Sequence, residues 1–430
     1  MNITISEIRI RKRTVTEWLV AIVFFLPFVQ GLLSEFIGFP DEIKFFADVA
    51  VIFLLMKIAL SSKDIQMNKS FIPFLWVIGL FFAYVTVIYF LNYQSVFYFL
   101  WGIRNYFRFY IAFIAYVVFV GWQDVKKWLN ILDGLYIINF FVIIFQFSVG
   151  YRQDFLGGIF GVQKGCNGGL LIFITLIITR TVLLFMRNEG STIKCLIFSF
   201  IGLLVAALAE LKFFFVIFIC VVLITAVITK SSFKKTGFFL FSVMLIFVFS
   251  SILSLMYDDF ERFLSFDNLF NSIFNPNYAT KEDIGRFTAI PIISNKFLTN
   301  LPDRLFGMGL GNADSSSIDL FNTPFFDMYG AIHYSIFLYS FLYLETGIVG
   351  LLIYTSFFIV SFVVSLRLFI TKKADEYICQ LSMIFSIVCI AFMFYNISLR
   401  NEMSAYLAFF VLSLPLISSG SVQLKSNVKI

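Results

Sequence analysis

Apolar stretches of about 16 to 25 residues recur along this chain, joined by short polar links, and none shows the strict alternation of a half-buried strand. A stretch of that length can cross a hydrocarbon layer of about 30 Å as a helix, which satisfies its own backbone hydrogen bonds. The pattern predicts about twelve such spans, at residues 17–38, 43–60, 71–91, 96–120, 128–150 and 169–186, then at 195–209, 213–229, 237–256, 334–370, 376–395 and 404–419. Residues 194–230 would form a helix of about 55 Å if unbroken, so a break is expected at Glu210-Leu-Lys212. One polar interruption stands apart: residues 257–332, roughly 75 residues against a usual link of about 4 to 6. The chain therefore reads as spans one to nine (1–256), a large loop (257–332), and spans ten to twelve with a tail (333–430).

Composition agrees with that pattern. With 60% hydrophobic and 13% charged residues, the chain cannot present a soluble surface, which takes about 25 to 35% charge. Arg9, Arg11, Lys12 and Arg13 precede a first span too long for a cleavable signal and without a small-residue cleavage site, so it is expected to remain as an anchor. Placing the amino terminus in the cytoplasm puts Lys63, Lys69, Lys126, Lys127, Arg187, Lys194, Lys230, Lys234, Lys235, Lys372, Lys373, Lys425 and Lys429 on one side. Both termini are then cytoplasmic, and the large loop is external. The net charge of +6 thus reflects topology rather than nucleic-acid binding, for which no module is present.

The exceptions to this charge rule point to chemistry. Arg104, Arg108, Arg152, Lys164, Lys212, Arg286, Arg304 and Arg400 all fall on or near the external face. Arg104 and Arg108 are one helical turn apart and share a face, an arrangement suited to a phosphate-rich ligand. The alternative is snorkelling, or pairing with Glu210 or Asp154. Glu210 and Lys212 could neutralise each other only around a helix break.

Within the loop, Thr280-Lys-Glu-Asp283 has capping-box spacing before an apolar stripe of Ile284, Phe287, Ile290, Ile293 and Phe297, which Pro291 divides into two short pieces. The segment Arg304-Leu-Phe-Gly-Met-Gly-Leu-Gly311 carries three alternate glycines. It is no dinucleotide fingerprint, lacking a preceding strand; its glycines suit close approach to a ligand or helix. The single histidine, His333, ends the loop as a candidate proton acceptor. Glu345 follows twelve residues later, about 18 Å along an unbroken helix, so the two can cooperate only if the helix breaks or the substrate spans them. There is no CxxC and no histidine cluster, and Asp258-Asp259 is a weak metal proposal. Of the five cysteines only Cys166 lies in an external link, so no external disulfide is available within the chain.

The late large external loop, the sequence Arg286-Phe-Thr-Ala289 followed by the glycine run to Gly311, and then His333 with Leu344-Glu-Thr-Gly-Ile-Val-Gly-Leu351 resemble the O-antigen ligase and polymerase family. Ala209-Glu-Leu-Lys-Phe-Phe-Phe215 is similar to a basic motif of the Wzy-type O-antigen or capsular polysaccharide polymerases. Tyr334 stands where ligases typically carry Asn, which disfavours the ligase. The resemblance implies an all-α, GT-C-like bacterial cytoplasmic-membrane protein. Its activity would be inverting, metal-independent glycosyl transfer between undecaprenyl-pyrophosphate-linked oligosaccharides at the outer face, without a cofactor and with a chain-length regulator as a possible partner. The site would then comprise Arg104, Arg108, Lys212, Arg286 and Arg400 at the pyrophosphate, with His333 and Glu345 at the attacking hydroxyl and Phe325, Phe326 and Tyr329 available to stack on sugars. Ligation onto another acceptor, or flipping of the lipid-linked oligosaccharide, are the alternatives.

Overall fold

The computed structural model describes residues 14–63, 65–229, 237–238, 240–245, 247–248, 251, 284–316 and 318–424. The capping-box sequence Thr280 to Asp283, the pair Asp258-Asp259 and part of the ninth expected span lie outside them, as do the basic residues before 14, at 230–236 and after 424.

The described chain is helical. Its long helices are α1 (Val15–Ile37), α2 (Phe45–Leu60), α3 (Ile72–Leu91), α4 (Val96–Phe119), α5 (Trp122–Val149), α6 (Asn167–Met186), α7 (Thr192–Leu208) and α8 (Lys212–Ile228). Beyond residue 284 come three short helices, α9 (Ala289–Lys296), α10 (Leu301–Phe306) and α11 (Pro324–Tyr329), then α12 (Leu338–Ile370), α13 (Glu376–Tyr395) and α14 (Glu402–Ser418). Among the described residues six helices are long and apolar enough to cross a membrane: α1, α3, α5, α6, α12 and α13. This corrects the expectation of about twelve. Helices α2, α7, α8 and α14 have only 16 or 17 residues, and α4 has the length but carries Arg104, Asn105 and Arg108. A second correction is the pairing of Ile65–Met67 (β1) with Val422–Leu424 (β2), an antiparallel ladder where no strand was expected.

Local chemistry sets the ends. Thr14 and Glu17 form a reciprocal capping box at α1, and Gly38 closes that helix at φ 74°. The expected break after α7 occurs at Glu210, whose φ is 54°. Helix α9 begins at Ala289, nine residues after Thr280, so Pro291 sits in its first turn, where a missing N–H costs no helical bond. Phe287 is correspondingly exposed rather than on a buried stripe.

Connections sort onto two faces. On one, β1 meets β2, Asp375 N–H donates to Ser418 Oγ (2.8 Å), and Arg187 donates to Gln380 (2.8 Å). Lys63, Arg187 and Lys372 therefore share a face, as the charge rule grouped them. On the other, Gly31 packs on Phe160, Gly102 on Gly311, and Asp48 on Arg104. Helix α6 is nearly enclosed, whereas α3 turns Trp76, Leu80 and Phe90 outward, apolar surface that a lipid environment would cover. Phenylalanines fill the interior, with the Phe24 ring 4.5 Å from Phe410 and 4.7 Å from Trp128.

Helix α12 is broken at Gly347 (φ 64°, ψ −173°). The glycine run enters this break. Met308 N–H donates to Leu344 C=O (3.1 Å), Gly309 N–H to Glu345 C=O (2.8 Å), and Tyr84 Oη to Thr346 C=O (2.7 Å). These are the carbonyls that the interrupted helix leaves without partners, so the loop supplies the donors that lipid cannot. A Cβ on Gly347 would fall 2.2 Å from the Leu305 carbonyl oxygen, and one on Gly311 2.0 Å from that of Tyr98. The glycines serve close helix approach, the second of the two roles read from the sequence.

Candidate functional site

Helix α4 brings Arg104 and Arg108 to one face, as their spacing requires, and both meet carboxylates. Asp48 accepts from Arg104 Nε (3.0 Å) and from Arg108 Nη1 (3.2 Å), while Glu402 accepts from Arg108 Nη2 (3.0 Å) and lies 3.8 Å from Arg104. The pairing partners are Asp48 and Glu402, not Glu210 or Asp154. Between the arginines, Asn105 donates to Asp314 Oδ2 (2.7 Å), and Asp314 also forms an ion pair with Arg400. Three guanidinium groups thus face three carboxylates in a nearly dry setting, where each charge requires its partner. Burial alone would push the Arg400 guanidinium down, but Asp314 beside it holds it above its usual range. Arg400 also lies over the Phe341 ring (4.7 Å).

Glu345 is fully buried. Its Oε1 accepts from the N–H of Gly311 (2.9 Å) and of Ala313 (3.3 Å), while Oε2 is enclosed without a partner among the described residues. The carboxylate clamps the glycine run that fills the break in its own helix. Tyr334 extends the clamp by donating to Ala313 C=O (2.6 Å), and Thr323 by donating to Asp314 C=O (2.8 Å).

His333 has a different setting. It is exposed, in the left-handed region at φ 56°, and its N–H donates to Gly330 C=O (3.0 Å). Helix α12 starts only at Leu338, so the two residues are not on one continuous helix, and the structure places His333 at the surface and Glu345 inside. The segment that bears His333 is tied instead to the one that bears Arg286. Ile284 N–H donates to Ile332 C=O (3.3 Å), pairing the segment that bears the arginine with the one that bears the histidine.

Arg286 is exposed, its guanidinium 4.6 Å from the Tyr395 ring and 5.5 Å from that of Phe337. Tyr339 holds the same residue by donating to its carbonyl. Tyr395 in turn stacks on Phe213 at 4.3 Å, beside the helix break where Lys212 pairs with Glu210 (2.7 Å). Of the five cations assigned to pyrophosphate, Arg286 is the one that meets no carboxylate among the described residues; Arg104, Arg108, Lys212 and Arg400 each have one.

Other candidates are engaged in local contacts. Arg152 donates to the carbonyls of Phe147 (2.6 Å) and Tyr151 (2.7 Å) at the end of α5, and Arg304 to that of Leu298 (3.0 Å). Phe325 and Tyr329 pack on each other and on Phe297 with centroids about 5 Å apart, leaving Phe325 half-buried between Phe297 and Tyr334. Burial, with Asp154 and Glu35 nearby, pushes the Cys166 thiol up to about 12. All five cysteines are free, and no group of metal-ligating side chains occurs among the described residues.

Neither a family model, nor a curated protein, nor a solved structure matches this chain. The fold itself defines a class: an all-α protein whose several long apolar helices are consistent with a multi-pass membrane protein.

Proposed function

We propose that this chain is a polysaccharide polymerase that joins polyprenyl-pyrophosphate-linked oligosaccharides at the outer face of the cytoplasmic membrane. The observation that carries this reading is that Arg286, a cation without a carboxylate among the described residues, lies on a segment hydrogen-bonded through Ile284 to the one that bears His333. In such a reaction a sugar hydroxyl oxygen bonds to the anomeric carbon as the bond to pyrophosphate breaks, with inversion. The hydroxyl proton passes to the His333 imidazole, and the electron pair leaves with the pyrophosphate, whose charge Arg286 meets. The buried arginines and Glu345 then act as scaffold: Asp48, Glu402 and Asp314 hold α2, α4, α14 and the glycine run in one arrangement.

The test is Arg286→Lys beside Arg286→Ala. Lysine keeps the charge but loses the planar fork, so polymer should fall at least about tenfold in both, the loss of one charged hydrogen bond of about 1.5 to 3 kcal/mol. Wild-type polymer in both variants, at equal protein in the membrane, would sink the assignment. Survival of a single surface-exposed repeat unit in the variants separates polymerisation from flipping, since a flippase defect would leave no repeat outside.

A further inference from the structure

On the same face as Arg286, the links after α1, α5 and α13 enclose an open cleft of about 170 Å³ lined by Gln30, Lys44, Lys164, Cys166, Asn401 and Glu402. That volume is below the range of about 300 to 1,000 Å³ typical of drug-sized ligands and suits a single headgroup. Its two lysines meet no carboxylate within ion-pair distance among the described residues; Lys44 lies 5.6 Å over the Phe45 ring, and Lys164 is exposed. The one carboxylate on the lining, Glu402, is already neutralised by Arg108 and Arg104. Its oxygens can still accept hydroxyl protons.

Gln30 adds an uncharged polar group to the lining. It sits mid-helix in α1 among apolar neighbours and is only 6% exposed. It lines the cleft, where its amide can bond to an occupant.

We propose that this cleft binds a glycosyl phosphate headgroup, with Lys44 and Lys164 on the phosphate and Gln30, Asn401 and Glu402 on the sugar hydroxyls. The source of that headgroup rests on the function proposed above: polymerisation takes two lipid-linked saccharides, Arg286 meets the departing pyrophosphate of one, and the cleft holds the other. Asp154 fixes the link after α5 at the cleft, accepting from both Cys166 Sγ (3.4 Å) and Asn167 (2.9 Å).

The experiment measures binding directly, with the full chain in nanodiscs of zwitterionic lipid and glucose 1-phosphate as the probe. Wild type should bind glucose 1-phosphate at least about tenfold more tightly than either glucose or inorganic phosphate, each of which offers half of the contacts. Lys44→Ala with Lys164→Ala should abolish that preference, Lys164→Arg should keep it, and Gln30→Leu should reduce it. Equal binding by wild type and the double lysine variant, equal affinity for inorganic phosphate and the sugar phosphate, or no binding by wild type would each overturn the assignment. So would loss of probe binding when phosphatidylglycerol is added to the nanodisc, which would make the cleft a membrane-lipid site. The readout is independent of polymer formation: normal probe binding with normal polymer in Arg286→Ala refutes the proposed chemistry but leaves the cleft assigned.

Discussion

Gly347→Ala tests the packing of the glycine run into the broken helix. The native φ of 64° and ψ of −173° belong to a region that only glycine occupies readily, so alanine would cost about 1 to 3 kcal/mol in backbone strain alone. Its Cβ would also stand 2.2 Å from the Leu305 carbonyl oxygen and 2.5 Å from the Phe306 nitrogen, both of them backbone atoms that no rotamer change can move aside. The run must therefore retreat, giving up the bonds of Met308 and Gly309 to Leu344 and Glu345, each worth about 0.5 to 1.5 kcal/mol net. Together the loss is about 2 to 6 kcal/mol. Gly79→Ala is the matched control: in the middle of α3 with nothing within 4 Å of the added methyl, it should be neutral or stabilise by up to about 1 kcal/mol. Titration with a denaturing detergent in mixed micelles measures both variants, and hydrogen exchange of residues 305–313 reads undocking directly. Gly347→Ala with a midpoint equal to wild type and unchanged exchange at Met308 and Gly309 would refute the reasoning.

Three other outcomes follow from the same geometry. Arg108→Leu strands Glu402 and should destabilise by about 3 to 5 kcal/mol, whereas adding Glu402→Leu should recover part of that loss; a double variant no more stable than the single would deny the pair its role. In a background without the five native cysteines, Ser315→Cys should react with an impermeant thiol reagent in cells with a permeabilised outer envelope and Asn188→Cys should not; the reverse labelling would invert the orientation. His333→Ala should lower polymer formation by about 10² to 10⁴ and His333→Gln should not restore it, because an amide cannot take the hydroxyl proton; near-wild-type turnover in alanine would reduce His333 to a turn residue.

How far the sequence reached depended on whether a feature was local. The break at Glu210 was legible because an apolar stretch of fixed rise could not fit a layer of fixed thickness. The capping box of α1, Thr14 with Glu17, is equally local, a pattern of two residues three apart ahead of an apolar run. The count of spans failed for a physical reason. Apolar stretches of 16 or 17 residues satisfy a hydropathy reading as α2, α7, α8 and α14, yet are short for a layer of about 30 Å at 1.5 Å per residue. The β1 and β2 pair could not be foreseen at all: its strands are three residues each and separated by more than 350 positions, so only the folded bundle brings them together.

The site shows the same division more sharply. The shared face of Arg104 and Arg108 follows from a spacing of four, but Asp48 and Glu402 lie 56 and 294 positions from the arginines they neutralise. A rule was nonetheless available. A charge placed in an apolar helix needs a partner there, so Asp48, an acid in an apolar stretch, is the natural complement of arginines in another. Applied across the chain, that rule assigns Asp48, Glu402, Asp314 and Glu210 to four of the five cations and leaves Arg286, in a polar loop, under no such obligation. What a cation costs to bury and what it can offer a ligand are therefore opposed: the arginines deepest in the bundle are the most firmly paired, and the exposed one over Tyr395 and Phe337 has no carboxylate partner among the described residues.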